Sequence, residues 1–374
     1  MGMRFAAYAL LLGNLIIGMT VMGPAAMIPQ LTADLDVSVT RAAFLITAGA
    51  IVLCIGSPLV AWITNGIDRR RLLAVSLAMI AVGQAGSALA PDMTVLLVLR
   101  VVSTAAAAIF TPQAASTIAM MVPEKERPGA ISFVFLGWSL AAAGGLPLIA
   151  WSAGMFGWRP AFAGLGLGAA IAAVFLWLSV PAGLRAPPMS LASWGTLFSN
   201  RLVVMLIAAT GIGTVGQFTI FTYLAPLVAE LATATPTMIA VLFAVFGISG
   251  FLGNLAATRA VGRIGAYSTS IACFSVMLAG ALVFAAGAGS YAVMLVGGAL
   301  WGSGFAASNS MQQARLAAAV PALAGAAIAL NSSAIYVGQA GGSVLGGVLF
   351  DAGWLVAMGY AGAAFLVVAT AVIR

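Results

Sequence analysis

One arginine lies in the middle of a long apolar run. Arg100 is the only charged residue between positions 93 and 121. A charged side chain at the centre of a bilayer costs about 2.5–3.5 kcal/mol on insertion scales, so it must face a protein interior or water. In a purely structural reading, its guanidinium donates to backbone carbonyls and side-chain amides.

Uncharged polar side chains in other apolar runs offer donors and acceptors that a solute can use, and aromatic rings offer apolar pocket walls. The alternative readings are hydrogen bonds between helices, worth under about 2 kcal/mol each, and rings that face lipid. Gln312, Phe221 and Phe246 belong to this wider group. The predicted solute site consists of Asn14, Arg100, Gln113, Trp138, Gln217, Tyr223, Trp301, Asn309, Asn331, Tyr336 and Gln339.

The groups that enzymes commonly use are missing from these runs. The chain has no histidine, and its acids lie in predicted loops or at the ends of runs. Cys54 and Cys273 occupy separate runs without metal-ligand or disulfide spacing. An intramembrane enzyme would need a nucleophile with its base, or metal ligands, inside the runs. We therefore predict no enzyme activity, no metal site and no cofactor.

The composition defines the surroundings of these residues. The chain is 63% hydrophobic and 6% charged, whereas soluble domains carry about 25% charged residues. Most of the surface must therefore face lipid. The 44 glycines fit helices that pack through small residues, as Gly338, Gly342 and Gly346 predict for one helix face. The basic residues form no clustered soluble face, so we predict no nucleic-acid partner.

The apolar runs are long enough for membrane helices, which need about 20 residues. We read the first run as a retained span because it lacks a cleavage signal. The twelve predicted spans are 5–28, 42–64, 72–90, 93–121, 129–153, 158–181, 202–230, 236–260, 266–288, 290–314, 324–350 and 354–373.

Basic residues predict the orientation. Of the 15 Lys and Arg residues, twelve lie at the termini or in loops from even to odd spans. Only Arg41 and Arg159 lie on the other side. Because cytoplasmic loops are enriched in basic residues, we predict that both termini are cytoplasmic. The sequence NGIDRRRLL (65–73) then forms the cytoplasmic turn between spans 2 and 3.

A weak internal repeat relates the two halves of the chain. At an offset of 197 residues, Pro29 falls on Pro226 and Gly56 falls on Gly253. Two six-span halves related without inversion are typical of a large class of transporters. We predict a first bundle over 1–181, a cytoplasmic linker over 182–201 that includes a short interfacial helix, and a second bundle over 202–374.

The span 2–3 turn resembles that of the major facilitator superfamily, which reads Gly-x-x-x-Asp-Arg-x-Gly-Arg-Arg. In WITNGIDRRRLL, Arg69 and Arg70 match this pattern, but Asn65 replaces the acid that the family uses as a cytoplasmic latch. The resemblance implies an all-α membrane fold of twelve helices in two bundles around a central cavity. It implies gating roles for Asn65, Asp68, Arg69, Arg70 and Arg263.

Other spans carry the resemblance further. Span 4 is similar to a second family motif through Arg100, which implies substrate contact or proton-linked conformational control. Span 5 resembles the antiporter motif through Gly144, Gly145 and Pro147. The segments FAASNSMQQARL (305–316) and ALNSSAIYVGQAGGSVLGG (329–347) are similar to the bacterial drug, sugar and purine efflux branch, with arabinose-efflux-like permeases as the nearest subgroup.

These observations predict a monomeric inner-membrane exporter of a small organic solute. Protons are the candidate coupling ion, with Asp34 and Arg100 as coupling residues. No carboxylate is predicted at mid-membrane, so three readings stay open: Asp34 lies deeper, coupling is unconventional, or transport is passive. Uptake or bidirectional facilitation is the alternative within transport. A non-transporting receptor on the same scaffold is the alternative outside it.

Overall fold

The computed structural model describes residues 2–64, 66–123, 126–185 and 197–373. Within these ranges the chain is helical and forms no strand. Eleven of the described helical segments are long and apolar enough to cross a membrane. The longest, Pro236–Ala286, contains Gly265 at φ 78° and ψ 163°, which divides it into two spans. The predicted twelve-span, all-α membrane fold is confirmed.

The numbering of the spans follows the chain. They are span 1 (Gly2–Met22, continued by Ile28–Leu35), span 2 (Val39–Ile63), span 3 (Arg69–Ala88), span 4 (Met93–Met121), span 5 (Arg127–Leu140 and Leu146–Phe156), span 6 (Trp158–Ser179), span 7 (Arg201–Phe221, continued by Leu224–Ala232), spans 8 and 9 (Pro236–Ala286, divided at Gly265), span 10 (Tyr291–Ala319), span 11 (Ala324–Asp351) and span 12 (Leu355–Ile373).

Spans 1 and 7 are both interrupted near one end and continue as short helices. In span 1 the interruption is a 3-10 turn, Gly23–Ala26, that contains Pro24. The two short helices end at Asp36 and Thr233, which have left-handed φ angles of 48° and 49°. These are the described non-glycine residues with positive φ, and they lie 197 positions apart. The geometry therefore agrees with the repeat offset of the sequence.

Span 5 contains a π-helical turn over Ala141–Gly145. Pro147 follows after Leu146 and has no N–H, so the carbonyl of Ala143 loses its usual helical donor. Within the wider π turn, the N–H of Leu146 donates to the carbonyl of Ala141, five residues back. The turn lies against span 8. A Cβ atom built on Gly247 would lie 2.0 Å from the carbonyl oxygen of Ala142.

The outer faces of the spans are apolar. On span 6, four aliphatic side chains at helical spacing are more than half exposed, namely Leu167, Ile171, Val174 and Leu178. Such a face is stable in lipid and would be costly in water.

The two halves of the chain meet at one end of the molecule. We call the end with the 36–38 turn the outer end, and the end with the 65–73 turn the inner end. The largest buried cluster contains residues of both halves, among them Ile46 and Phe243 from the outer parts of spans 2 and 8. The buried residues of the other clusters come from one half each, with Tyr336 of the second half packed against the first-half cluster. This conformation is therefore closed at the outer end.

Candidate functional site

Arg100 is buried in the first half, with 4% of its surface exposed. Its Nε donates to the carbonyl of Leu45 at 2.9 Å, and its Nη2 donates to the carbonyl of Val21 at 2.8 Å. Its Nη1 donates to the carbonyl of Thr20. The guanidinium thus ties span 4 to spans 1 and 2 through backbone acceptors.

The interruption of span 1 explains why the carbonyl of Thr20 is available. Thr20 lies four residues before Pro24, which has no N–H to donate to it. Arg100 supplies the missing donor. Gly49 leaves room for the guanidinium, because a Cβ there would lie 2.9 Å from Nη2 of Arg100. These contacts correspond to the structural reading of Arg100.

Asn14 and Gln113, the first-half carboxamides of the predicted site, also form hydrogen bonds within that half. Asn14 donates to the carbonyl of Val134 at 3.1 Å and accepts from the hydroxyl of Thr111 at 2.9 Å. Gln113 donates to the hydroxyl of Thr64 at 3.3 Å. These contacts link spans 1, 2, 4 and 5 to one another.

Two amides of span 10 have structural partners in the second half. Gln312 accepts from the hydroxyl of Ser270 at 3.1 Å and donates to the carbonyl of Leu206 at 3.3 Å. Asn309 donates to the carbonyl of Phe305 within its own helix at 3.3 Å.

A different set of predicted site residues has polar atoms that are buried and unpartnered in the described part of the chain. Asn331 is 0% exposed, and neither its Nδ2 nor its Oδ1 has a partner. Gln339, which lies two turns further along span 11, has an unpartnered Nε2, and Gln217 on span 7 has an unpartnered Oε1. The indole N–H groups of Trp138 and Trp301 also lack acceptors. Buried polar atoms normally have a partner, so these are the atoms that a water or a solute can satisfy.

Tyr223 lies at the outer-end junction of the halves. Its hydroxyl donates to the carbonyl of Ser343 at 3.0 Å, and its ring stacks on Phe350 with centroids 5.5 Å apart. Across the junction, the hydroxyl of Thr40 on span 2 donates to Asp351 on span 11 at 2.6 Å. Sequence reasoning missed Thr40 and Asp351, because nothing in the chain pairs residues 311 positions apart.

The aromatic residues of the second half form a packed cluster. Trp301 is fully buried, and its ring centroid lies 5.0 Å from that of Phe246 and 6.1 Å from that of Phe305. Phe221 contacts the same three rings. Tyr336, from span 11, packs instead against the first-half core cluster. The predicted aromatic residues therefore fall into separate groups.

The predicted gating residues lie at the inner end, except that Asn65 is outside the described residues. Asp68 caps span 3 by accepting from the backbone N–H of Arg71 at 3.0 Å, and it also accepts from the backbone N–H of Gly183. Burial works against its charge, but these two hydrogen bonds hold the pKa of Asp68 below its usual value. Arg70 stacks on Trp177 at 4.2 Å. The turn is thus docked on span 6 of its own half.

Arg263, the gating candidate of the second half, is exposed at the inner end, two residues before Gly265. The predicted linker helix at Leu191 and Trp194 lies outside the described residues.

Asp34 is ion-paired at the outer end. Its carboxylate accepts from the guanidinium of Arg159 and, at 2.9 Å, from the indole of Trp158. The Arg159 hydrogen bond, followed by that of Trp158, holds the pKa of Asp34 below its usual value. In this conformation Asp34 is therefore ionised at neutral pH.

Two surface cavities lie near these residues. The first, of about 330 Å³, is lined at the outer end by residues that include Arg41, Phe44 and Asp351. The second, of about 390 Å³, is an apolar groove between spans 7 and 11. Ala334 and Gly338, which line it, lie on the same helical face as Asn331.

The twelve apolar spans and their buried polar side chains define a multi-pass membrane protein. The Major Facilitator Superfamily model matches residues 10–232, more than half of the chain. The chain therefore belongs to the major facilitator superfamily of transporters, which confirms the resemblance seen in its motifs.

The chain is similar to relatives over most of their length, and two of the three below are named as transport proteins. The inner membrane transport protein YdhP of Escherichia coli K12 is 27% identical over 94% of this chain and 90% of its own length. A probable sugar efflux transporter of Helicobacter pylori G27 is 26% identical with the same coverage. The transcription regulatory protein OpdE of Pseudomonas aeruginosa is 30% identical over 82% of this chain and 77% of its own length.

The fold is similar to that of a solved transporter. The crystal structure of a mutant of the nucleoside transporter NupG matches with a TM-score of 0.77 over 100% of this chain and 99% of that one, at 12% identity. The chain is thus a multi-pass inner membrane protein with the major facilitator fold, and its family points away from an enzyme.

Proposed function

We propose that this protein exports a small neutral or weakly anionic organic solute, of sugar or nucleobase type, by alternating access. The observation that carries the proposal is the set of buried, unpartnered polar atoms on Gln217, Asn331 and Gln339. Carboxamides hydrogen-bond hydroxyl and ring nitrogen groups without requiring charge. The name of the Helicobacter relative supports export.

The moving bodies in this proposal are residues 1–181 and 202–374, joined by the linker 182–201. They would rock about the solute, with the outer junction of Thr40 and Asp351 closed in the conformation described above. The first half would hold its shape through Arg100, Asn14 and Gln113, while the second half would supply free hydrogen-bonding atoms. A strongly cationic solute is disfavoured, because no acid lies in the middle of a span.

Loss of the Asn331 carboxamide is expected to weaken solute binding without destabilising the empty protein. The group has no partner to lose, whereas a bound solute would lose one or two hydrogen bonds worth about 0.5–1.5 kcal/mol each. We expect about tenfold weaker binding by Asn331→Leu. The measurement is a thermal-shift screen of sugars, nucleobases, amino acids and drugs, followed by titration of the best ligand.

Gln312→Leu is the matched control for this variant. It removes hydrogen bonds to Ser270 and Leu206, so it should lower the melting temperature of the empty protein and leave solute affinity intact. If Asn331→Leu binds the solute as tightly as wild type, Asn331 is not part of the solute site.

The orientation in this proposal has both termini in the cytoplasm, as the charge distribution predicts. We expect an impermeant thiol reagent to label Ser38→Cys but not Ile67→Cys in intact cells, in a background with Cys54 and Cys273 replaced. Ile67 is a better probe than Gly66, whose φ of 85° disfavours a side chain. The reverse labelling pattern would invert the assignment of every loop.

Proton coupling is a further part of the proposal, with Asp34 and Arg100 as the coupling residues. Asp34 would have to leave its pair with Arg159 in another conformation before it could bind a proton near neutral pH. Flux into proteoliposomes with an imposed pH gradient separates coupled export from passive facilitation, since a passive carrier of a neutral solute would ignore the gradient.

A non-transporting regulator is the second candidate, and the name of the Pseudomonas relative favours it. Liposomes that contain only this protein would then show no flux of a solute that binds to it.

A further inference from the structure

Arg69 is a buried cation without a counter-ion among the described residues. Its side chain is 1% exposed, and no acceptor lies within hydrogen-bond distance of its Nε or Nη1. Nε of the neighbouring Arg70 is likewise buried and unpartnered. Two adjacent guanidinium groups thus hold three free donor nitrogens at the inner end.

The nearby protein groups are already engaged. Both carboxylate oxygens of Asp68 accept from backbone N–H groups, those of Arg71 and Gly183. The carbonyl of Leu184 accepts the backbone N–H of Arg69 at 2.9 Å. An uncompensated buried charge is strongly destabilising, so Arg69 requires an anion.

The second half of the chain cannot supply this anion. Its only acids are Glu230 and Asp351, and both lie at the outer end. Its inner end carries Arg201, Arg259, Arg263 and Arg315. Of the remaining first-half acids near this end, Glu126 is exposed and Glu124 lies outside the described residues. Closure of the inner end would bring like charges towards Arg69, so among the described residues its negative partner is left to a ligand.

The surroundings point to a lipid as the source of the anion. Arg70 stacks on Trp177, which is 43% exposed, and the adjacent Leu178 is 76% exposed on the lipid-facing side of span 6. The two arginines also begin span 3, where helix N-terminal N–H groups favour negative charge. Arginine binds phosphate through parallel N–H donors.

We propose that Arg69 and Arg70 bind the phosphate of an anionic phospholipid in the leaflet at the inner end. Because Arg69 is 1% exposed here, its guanidinium would turn outward towards Arg70 to reach the lipid. The acyl chains of this lipid would lie along span 6 beside Trp177 and Leu178. This lipid site requires only that the protein spans the membrane. It does not depend on whether the protein exports a solute.

The test is thermal unfolding of the purified full-length protein in neutral detergent. Three probes are titrated: short-chain phosphatidylglycerol, phosphatidylcholine of the same chain length, and inorganic phosphate. We expect phosphatidylglycerol to raise the melting temperature at about tenfold lower concentration than phosphatidylcholine, since phosphatidylcholine carries the same phosphate but adds a trimethylammonium group that the arginines repel. Arg69→Gln should abolish this preference. The matched control, Arg201→Gln, should keep it, because Arg201 is exposed at the inner end of the second half.

Without lipid, Arg69→Gln should be at least as stable as wild type, because it removes an uncompensated charge. If it unfolds in neutral detergent, Arg69 has a structural partner and the proposal is wrong. The proposal also fails if phosphatidylglycerol stabilises Arg69→Gln as much as wild type. Equal stabilisation by inorganic phosphate would mean a site for free phosphate and would overturn the lipid assignment.

Discussion

Replacing Arg100 by glutamine is expected to abolish solute transport and to lower the stability of the protein. Glutamine has two N–H donors and a shorter reach than arginine, so it cannot satisfy all three carbonyls that Arg100 binds, those of Thr20, Val21 and Leu45. A buried carbonyl left without any donor costs about 1–3 kcal/mol. The break in span 1 would then lose the contacts that fix its geometry.

Arg100→Lys should keep part of the stability and part of the transport, because an ammonium donates to carbonyls but lacks the planar fork of the guanidinium. The measurements are thermal unfolding in detergent and solute flux in proteoliposomes, with Arg201→Gln as the control at an exposed site. Loss of transport with an unchanged melting temperature would assign Arg100 to solute or proton contact. Unchanged transport and stability would show that Arg100 is needed neither for the geometry of span 1 nor for solute or proton contact.

Replacing Gly247 by valine is expected to open the outer end and stop transport. A Cβ at this position would lie 2.0 Å from the carbonyl oxygen and 2.3 Å from the carbonyl carbon of Ala142. Backbone atoms of the π turn cannot yield as a flexible side chain can, so spans 5 and 8 would have to separate. Overpacking of this kind costs about 1–3 kcal/mol, enough to shift a two-state equilibrium about 5–150-fold.

The accessibility of the outer junction measures this shift. Thr40→Cys, in a background without Cys54 and Cys273, should react faster with an impermeant thiol reagent when Gly247→Val is added. Gly262→Val is the matched control, since a Cβ there meets no atom within 4 Å. An unchanged reaction rate with Gly247→Val would show that the junction at Thr40 opens independently of spans 5 and 8.

The sequence predicts the spans well but not their interruptions. The run 93–121 coincides with span 4, and 158–181 extends two residues beyond span 6. The runs 5–28 and 202–230 were each predicted as one helix, although each is broken before its end. Apolar composition indicates which segments can lie in lipid. A helix interruption depends instead on which backbone carbonyls have hydrogen-bond donors elsewhere in the fold. For span 1 the donor is Arg100, 80 residues from Thr20.

The candidate site is predictable only as a set of residue types. The sequence identifies Asn14, Gln312 and Asn331 equally as amides in apolar runs. Their difference lies in partners from distant spans, such as Val134 for Asn14 and Ser270 for Gln312. Which amide remains free is a property of helix packing, and no local pattern encodes it.

The left-handed residues that end the two short helices bear on the history of the chain. Asp36 and Thr233 both adopt a left-handed conformation that is uncommon for residues other than glycine, and their separation equals the repeat offset. Helices often end on a left-handed residue, but here the two residues also lie at the offset that relates the two halves in sequence. In evolutionary terms, this agreement fits two copies of one ancestral six-helix segment joined by duplication.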